Sequence, residues 1–85
     1  MSNYKKRAFI LDIVNGIKWE KEMIFEIGLT RNPITNYLHY DPRPILEEID
    51  NRCEKRWSVQ KQNQNSITVS FESKDDALQC SLALL

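Results

Sequence analysis

The side chains that invite chemistry are few. His39 is the single histidine of the chain and lies in Tyr37-Leu38-His39-Tyr40, directly before Asp41. A histidine beside a carboxylate and two phenols is raw material for acid–base or ribonuclease-like catalysis. Such catalysis needs further groups held at hydrogen-bond distance, and no second histidine exists to supply one. The plainer expectation is a loop histidine donating to Asp41 or to backbone. Cys53 and Cys80 are the two cysteines. Cys53 falls on the apolar stripe of an expected helix, where cysteine behaves as a small apolar residue. Cys80 falls on the flank of another, with no histidine near it in sequence. No paired cysteine or histidine spacing suits a metal, and Gly16 and Gly28 stand alone, so no glycine-rich phosphate loop exists. No catalytic residue, metal site or cofactor is expected.

Basic and aromatic residues offer a second kind of chemistry. Lys5-Lys6-Arg7 forms one cluster, Arg52, Lys55 and Arg56 form another, and Lys61 follows close behind. Tyr4, Tyr37, Tyr40 and Trp57 would supply flat surfaces. Cations position phosphates and aromatics stack on bases, so this set outlines a modest nucleic-acid face. Against it, the chain carries 12 basic and 12 acidic residues and no RNA-recognition consensus. Balanced charge removes long-range steering toward nucleic acid or anionic lipid. The competing expectation is a solubilising surface, with Trp19 and Trp57 in the core.

Eighty-five residues fit one domain with one core and little room for a deep substrate cleft. The apolar runs are too short to span a bilayer. The basic N-terminus is followed by no long apolar region or small-residue cleavage site, so no secretory signal is expected. Two cysteines without a second pair point to reduced thiols in a cytoplasm.

The elements that must position these residues follow from periodicity. Residues 7–14 (RAFILDIV) are apolar and β-rich, and Asn15-Gly16 is a hairpin signal. In residues 17–30, Ile17, Trp19, Met23, Phe25, Ile27 and Leu29 occupy odd positions while Lys18, Glu20, Glu22 and Glu26 occupy even ones, the alternation of a strand with one wet face. A three-residue loop at residues 14–16 pairs Ile13 with Ile17 and Leu11 with Trp19. It puts Gly16 in the left-handed position where a side chain is costly. A helix through the same region is the alternative, at a cost of roughly 1 kcal/mol for an interior glycine.

Residues 31–40 read as a turn and loop, with a short strand allowed over 34–40. Asp41-Pro42 opens a helix, Asp41 as cap and Pro42 at the first helical position. Leu46, Ile49, Cys53 and Trp57 form its stripe, with Glu47, Glu48 and Asp50 early and Arg52, Lys55 and Arg56 at its end. Residues 58–61 and 67–71 form a hairpin about Asn63-Gln64-Asn65, pairing Trp57 with Phe71, Val59 with Val69 and Lys61 with Ile67. Gln60, Gln62, Ser66, Thr68 and Ser70 then face water. Ser73 caps a last helix, with Asp75 and Asp76 in its first turn and Ala77, Leu78, Ser81, Leu82 and Leu85 as its buried stripe. The expected fold is α+β: two antiparallel β-hairpins with two helices packed on one face (ββαββα), or βαββα if residues 17–29 are helical. The long strand at 17–29, if at a sheet edge, would allow a homodimer or β-addition to a target.

Trp57, Ile67-Thr-Val-Ser-Phe71 and Asp75-Asp76-Ala77-Leu78 together resemble the ending of many small proteins of T-even-type bacteriophages, which close with a strand and an Asp-Ala-Leu-type helix. The resemblance covers the last third of the chain and involves core and cap positions. It implies a non-enzymatic host-takeover factor in an infected cytoplasm, binding and inhibiting a bacterial defence enzyme such as a toxin–antitoxin ribonuclease or nuclease. It transfers no functional residue. The partner or nucleic-acid contacts expected from the residues themselves are Lys5, Lys6, Arg7, Tyr37, His39, Tyr40, Arg52, Lys55, Arg56 and Lys61, with a bacterial host protein as partner, RNA as the alternative, and no membrane.

Overall fold

A computed structural model of the chain describes residues 4–9 and 16–85. Its elements run β1 (Lys21–Glu26), β2 (Leu29–Arg31), β3 (Leu38–Tyr40), α1 (Arg43–Arg52), β4 (Trp57–Gln62), β5 (Ser66–Phe71) and α2 (Lys74–Leu84). The fold is α+β, with two sheets of antiparallel strands and two helices. The larger sheet has the order β1-β5-β4, and β2 with β3 makes the second.

The odd positions of β1 and β5 share one face with Trp57 and Val59 of β4, as alternation requires. Phe25, Trp57, Ile67, Val69 and Phe71 are all buried there, with Met23 and Val59 packed partly against them. Leu46, Ile49 and Cys53 from the first helical segment and Ala77 and Cys80 from α2 close the core over that face. Phe25 and Phe71 meet edge to face at 6.1 Å between ring centroids.

The strand reading of residues 17–30 holds over Lys21–Glu26 and Leu29–Arg31, but its partners differ from expectation. β1 pairs with β5, placing Met23 opposite Val69 and Phe25 opposite Ile67. After Ile27, whose N–H donates to Asn65 O, the chain leaves this sheet, and β2 pairs with β3 instead. Arg7 forms a parallel bridge to Trp57. The expected pairings through Leu11 and Ile13 fall on residues 10–15, outside the described residues. Gly16 has φ +91°, the left-handed conformation anticipated for it.

Within the β4–β5 hairpin, Trp57 opposes Phe71 and Val59 opposes Val69 as expected. A bulge between Val59 and Lys61 then shifts the ladder by one, so Lys61 opposes Thr68 and Gln62 opposes Ile67. Ser70, expected in water, is buried opposite the equally buried Ser58.

Both helices are set by carboxylates. Asp41 sits one position further out than expected, and Pro42 is the capping residue. Asp41 still accepts the Arg43 N–H, at 3.1 Å. α1 stops at Arg52, and Cys53 turns to extended backbone. Lys55 and Arg56 therefore lie beyond the helix, and Trp57 joins the core from β4. The stop coincides with Asp76, which reaches across from α2 to accept the N–H groups of Glu54 at 3.0 Å and Lys55 at 2.8 Å.

That same contact fixes the phase of α2. Ser73 caps it by accepting the Asp76 N–H, and Asp76 itself is buried. With Asp76 turned inward, Ala77 and Cys80 follow it into the core and Leu84 packs against it. Leu78, Leu82 and Leu85, expected in the buried stripe, are turned out and exposed at 54%, 73% and 67%. Cys80, expected on the flank, is fully buried. One residue is a rotation of about 100°, enough to exchange the two faces.

Asp50 does the equivalent work for the N-terminal segment. It accepts the backbone N–H groups of Lys5 and Lys6 and the indole N–H of Trp57, each at 2.9 Å. Burial pushes its carboxyl up, but these donors together outweigh burial and hold it below the usual carboxylate range.

Candidate functional site

The second sheet stands apart from the first. β2 and β3 pack on each other and make no substantial contact with another element. All three residues of β3 are exposed. The molecule is accordingly long, 43 Å by 28 Å by 20 Å. We call residues 29–40 the arm.

The arm is held by its own polar groups. Asn32 donates its N–H to Tyr37 O at 2.9 Å and accepts the Asn36 N–H at 2.8 Å. The Asn32 side-chain oxygen accepts the N–H groups of Ile34 and Thr35, a local turn for which asparagine is suited. Arg31 donates to the carbonyl and side-chain oxygens of Asn36, which holds a left-handed φ of 64° that asparagine tolerates. At the base, the Asp41 N–H donates to Gly28 O. The Asp41 carboxylate takes three hydrogen bonds from the Arg43 guanidinium, at 3.0, 3.2 and 2.8 Å. The Arg43 contacts, foremost, lower its pKa to about 2.

This scaffold presents apolar side chains to solvent. Ile34 at the tip is 92% exposed and Tyr37 77%. Leu29 lies directly opposite Tyr40 and Arg31 opposite Leu38, so these four share one face of the ladder. Of the ten large hydrophobic residues exposed among the described residues, five lie within the arm. Singly exposed apolar residues need no explanation, but a cluster on a prefolded, projecting hairpin does. Residues 27–40 contain no acidic side chain, and Arg31 and His39 are their basic ones.

The expected site residues thus divide. Tyr37, His39 and Tyr40 come together on the arm. His39 pairs with Thr30 in the ladder and is exposed. Asp41, its expected partner, is engaged by Arg43, so the acid–base pairing imagined for His39 does not form. Lys5, Lys6 and Arg7 come alongside Lys55 and Arg56 through the Arg7–Trp57 bridge, in which Ala8 N–H donates to Trp57 O and Trp57 N–H to Lys6 O. Much of this basic end is spent inside the protein. The Lys6 ammonium reaches Asp50 O at 3.4 Å. The Arg7 guanidinium sits over the rings of Tyr4, Phe9 and Trp57 at 5.0–5.6 Å. Arg52 pairs with Glu48. Lys61 lies further along β4, outside the cluster.

Ile34, Leu29, Leu38 and Arg31 were not singled out from sequence. Their signal was an apolar stretch turning at Asn32-Pro33 and lacking acidic residues, read there as a turn and loop with a short strand allowed over residues 34–40; the strand forms at Leu38–Tyr40. Among the described residues, no group of three or more histidine, cysteine or acidic side chains could hold a metal ion. No helix of the described residues is long and apolar enough to cross a membrane. Comparison with protein-family models, with curated proteins and with solved structures finds no match to this chain.

Proposed function

We propose that this chain is a non-enzymatic binding protein that engages another protein through the arm. The observation that carries the reading is the prefolded, exposed apolar hairpin, whose tip contributes nothing to the core. Its hydrogen bonds satisfy the turn before any partner arrives, so little ordering entropy is lost on association. Tyrosine and arginine are enriched at interface hot spots, and here they stand beside an exposed isoleucine on a rigid support. The partner surface that fits has an apolar pocket for Ile34 and Tyr37 and acidic groups facing Arg31 and His39. The resemblance of the C-terminal third to phage proteins makes a bacterial defence enzyme, such as a toxin–antitoxin ribonuclease or nuclease, the target class, with inhibition in the host cytoplasm as the outcome.

The test is a paired capture from bacterial lysate. Wild type and an Ile34→Asp, Tyr37→Ala variant are immobilised side by side, with nuclease treatment of half of each sample. A protein retained stoichiometrically by wild type, lost with the variant and indifferent to nuclease supports the reading. Equal retention by both proteins removes the arm from it.

A second reading rests on the convergence of Lys5, Lys6 and Arg7 with Lys55 and Arg56. RNA would bind there through its phosphates, and affinity would fall steeply with salt. A Lys5→Glu, Lys55→Glu variant that binds labelled RNA as wild type does at low salt would dispose of it.

A further inference from the structure

β1 lies at the edge of the three-stranded sheet. Its ladder with β5 runs on to Ile27, whose N–H donates to Asn65 O. In an antiparallel ladder, alternate residues direct both backbone groups to the same neighbour. Lys21, Met23, Phe25 and Ile27 therefore spend theirs on β5. The N–H and C=O groups of Glu22, Ile24 and Glu26 aim outward, and no strand among the described residues pairs with them. An open edge of this kind is a template for another strand.

α2 packs beside this edge and runs in the same direction. Lys74, Ala77 and Leu78 line one hollow with Lys21 and Met23, and Leu84 and Leu85 line the next with Ile24 and Glu26. The hollows follow one another along the strand as a groove, with cations at the Lys21–Lys74 end and the Glu26 carboxylate at the other. Its apolar side chains are open to solvent: Ile24 is 63% exposed and Leu78 54%. Lys21, Glu22, Glu26 and Lys74 make no ion pair among the described residues. We propose that this groove binds an extended peptide segment of another protein, which adds to β1 as an antiparallel strand.

The charges state which segment fits. Side chains opposite Glu22, Ile24 and Glu26 share their side of the sheet, and those opposite Lys21, Met23 and Phe25 lie on the α2 side. A segment reading basic, apolar, β-branched, apolar, basic, acidic sets cations against Glu26 and Glu22 and a β-branched residue against Ile24. Its two apolar side chains enter the groove beside Leu84 and Leu78, and its carboxylate meets Lys21 and Lys74. A second copy of β1 fits poorly. With Ile24 on the twofold axis, Glu22 of each strand faces Glu26 of the other, and with Met23 on the axis Glu20 faces Glu26. Like charges directly opposite are destabilising.

The test uses the full chain and a capped, fluorescently labelled peptide, Lys-Leu-Val-Leu-Lys-Glu, followed by anisotropy at low salt. Saturable binding below about 1 mM is expected, tighter by about 10-fold or more than that of the charge-reversed Glu-Leu-Val-Leu-Glu-Lys. A Glu22→Lys, Glu26→Lys protein, changed only at exposed positions, should reverse that preference. Methylating the peptide's valine and second lysine amides, which face β1, should weaken binding about 10-fold or more. Methylating its two leucine amides, which face away, should cost much less. The Ile34→Asp, Tyr37→Ala protein should bind the peptide as wild type does, so the groove and the arm are tested separately. The proposal is overturned if the matched peptide does not saturate, and sedimentation of the protein as a dimer would then give the edge to a second copy. Equal binding of the charge-reversed peptide, equal loss from both methylations, or weakened binding by the arm variant also overturns it.

Discussion

Replacing Asp50 by alanine should undo the attachment of the N-terminal segment and a substantial part of the protein's stability. Its carboxylate holds three donors at 2.9 Å: Lys5 N–H, Lys6 N–H and the buried Trp57 indole N–H. Hydrogen bonds to a charged group contribute about 1.5–3 kcal/mol each, and a buried donor left unpaired costs about 1–3 kcal/mol. The two backbone groups can partly rehydrate, whereas the indole of Trp57, fully buried, cannot. We expect a loss of about 3–5 kcal/mol. A domain of this size is stable by roughly 4–13 kcal/mol in all. The midpoint of thermal unfolding should fall by about 15 °C or more. Asp50→Asn is the informative companion. Its amide keeps one acceptor oxygen but turns N–H groups toward donors, so it should still lose at least about 2 kcal/mol. Urea unfolding followed by Trp fluorescence reads the stability, and amide exchange at Lys5 and Lys6 reads the local release. An Asp50→Ala protein within about 1 kcal/mol of wild type at unchanged m-value would exclude this role for Asp50, as would unchanged exchange at Lys5 and Lys6.

Further outcomes follow from the same geometry. Asp76→Ala should cost about 2–3 kcal/mol in urea unfolding and speed exchange at Glu54 and Lys55, whose N–H groups lose their acceptor. Because Asp41 and Asp50 are held below the ordinary carboxylate range, their stabilisation is complete above about pH 4 and is lost as pH falls. Asp41's share is lost through about pH 2, so acid titration of the unfolding midpoint should fall across that window and stay level above it. The phase of α2 predicts opposite results for two leucine-sized changes: Leu82→Gln should alter stability by less than about 0.5 kcal/mol, and Ala77→Leu should destabilise by about 1–3 kcal/mol. Ile34→Asp should leave the melting point unchanged while abolishing partner capture, since the residue is 92% exposed.

The C-terminal hairpin and its helix were legible because their signals are local. Alternation in residues 57–71 and the Ser73 cap each act within a few positions. The bulge at Gln60 was hidden, since nothing in an amide-rich strand marks the extra residue. The phase of α2 was hidden for a different reason. Leu78, Leu82 and Leu85 offer the better apolar stripe, and what turned it outward is a polar requirement set 22 residues away, at the N–H of Glu54. β1 was legible as a strand, but its partner was not, because pairing with β5 bypasses three strands and a helix. The expectation for residues 31–40 recovered Tyr37, His39 and Tyr40 as surface residues and allowed the strand that Leu38–Tyr40 forms, but missed its pairing with β2, whose turn depends on Asn32, Arg31 and Asn36 acting together.

We propose the arm as the working surface. The most direct measurement is the affinity of the captured partner for wild type and for the Ile34→Asp, Tyr37→Ala protein, by calorimetric titration with both proteins shown to melt alike. Two hot-spot anchors at about 2 kcal/mol or more each predict a loss of at least about 100-fold. Affinities within about twofold of each other would contradict the account.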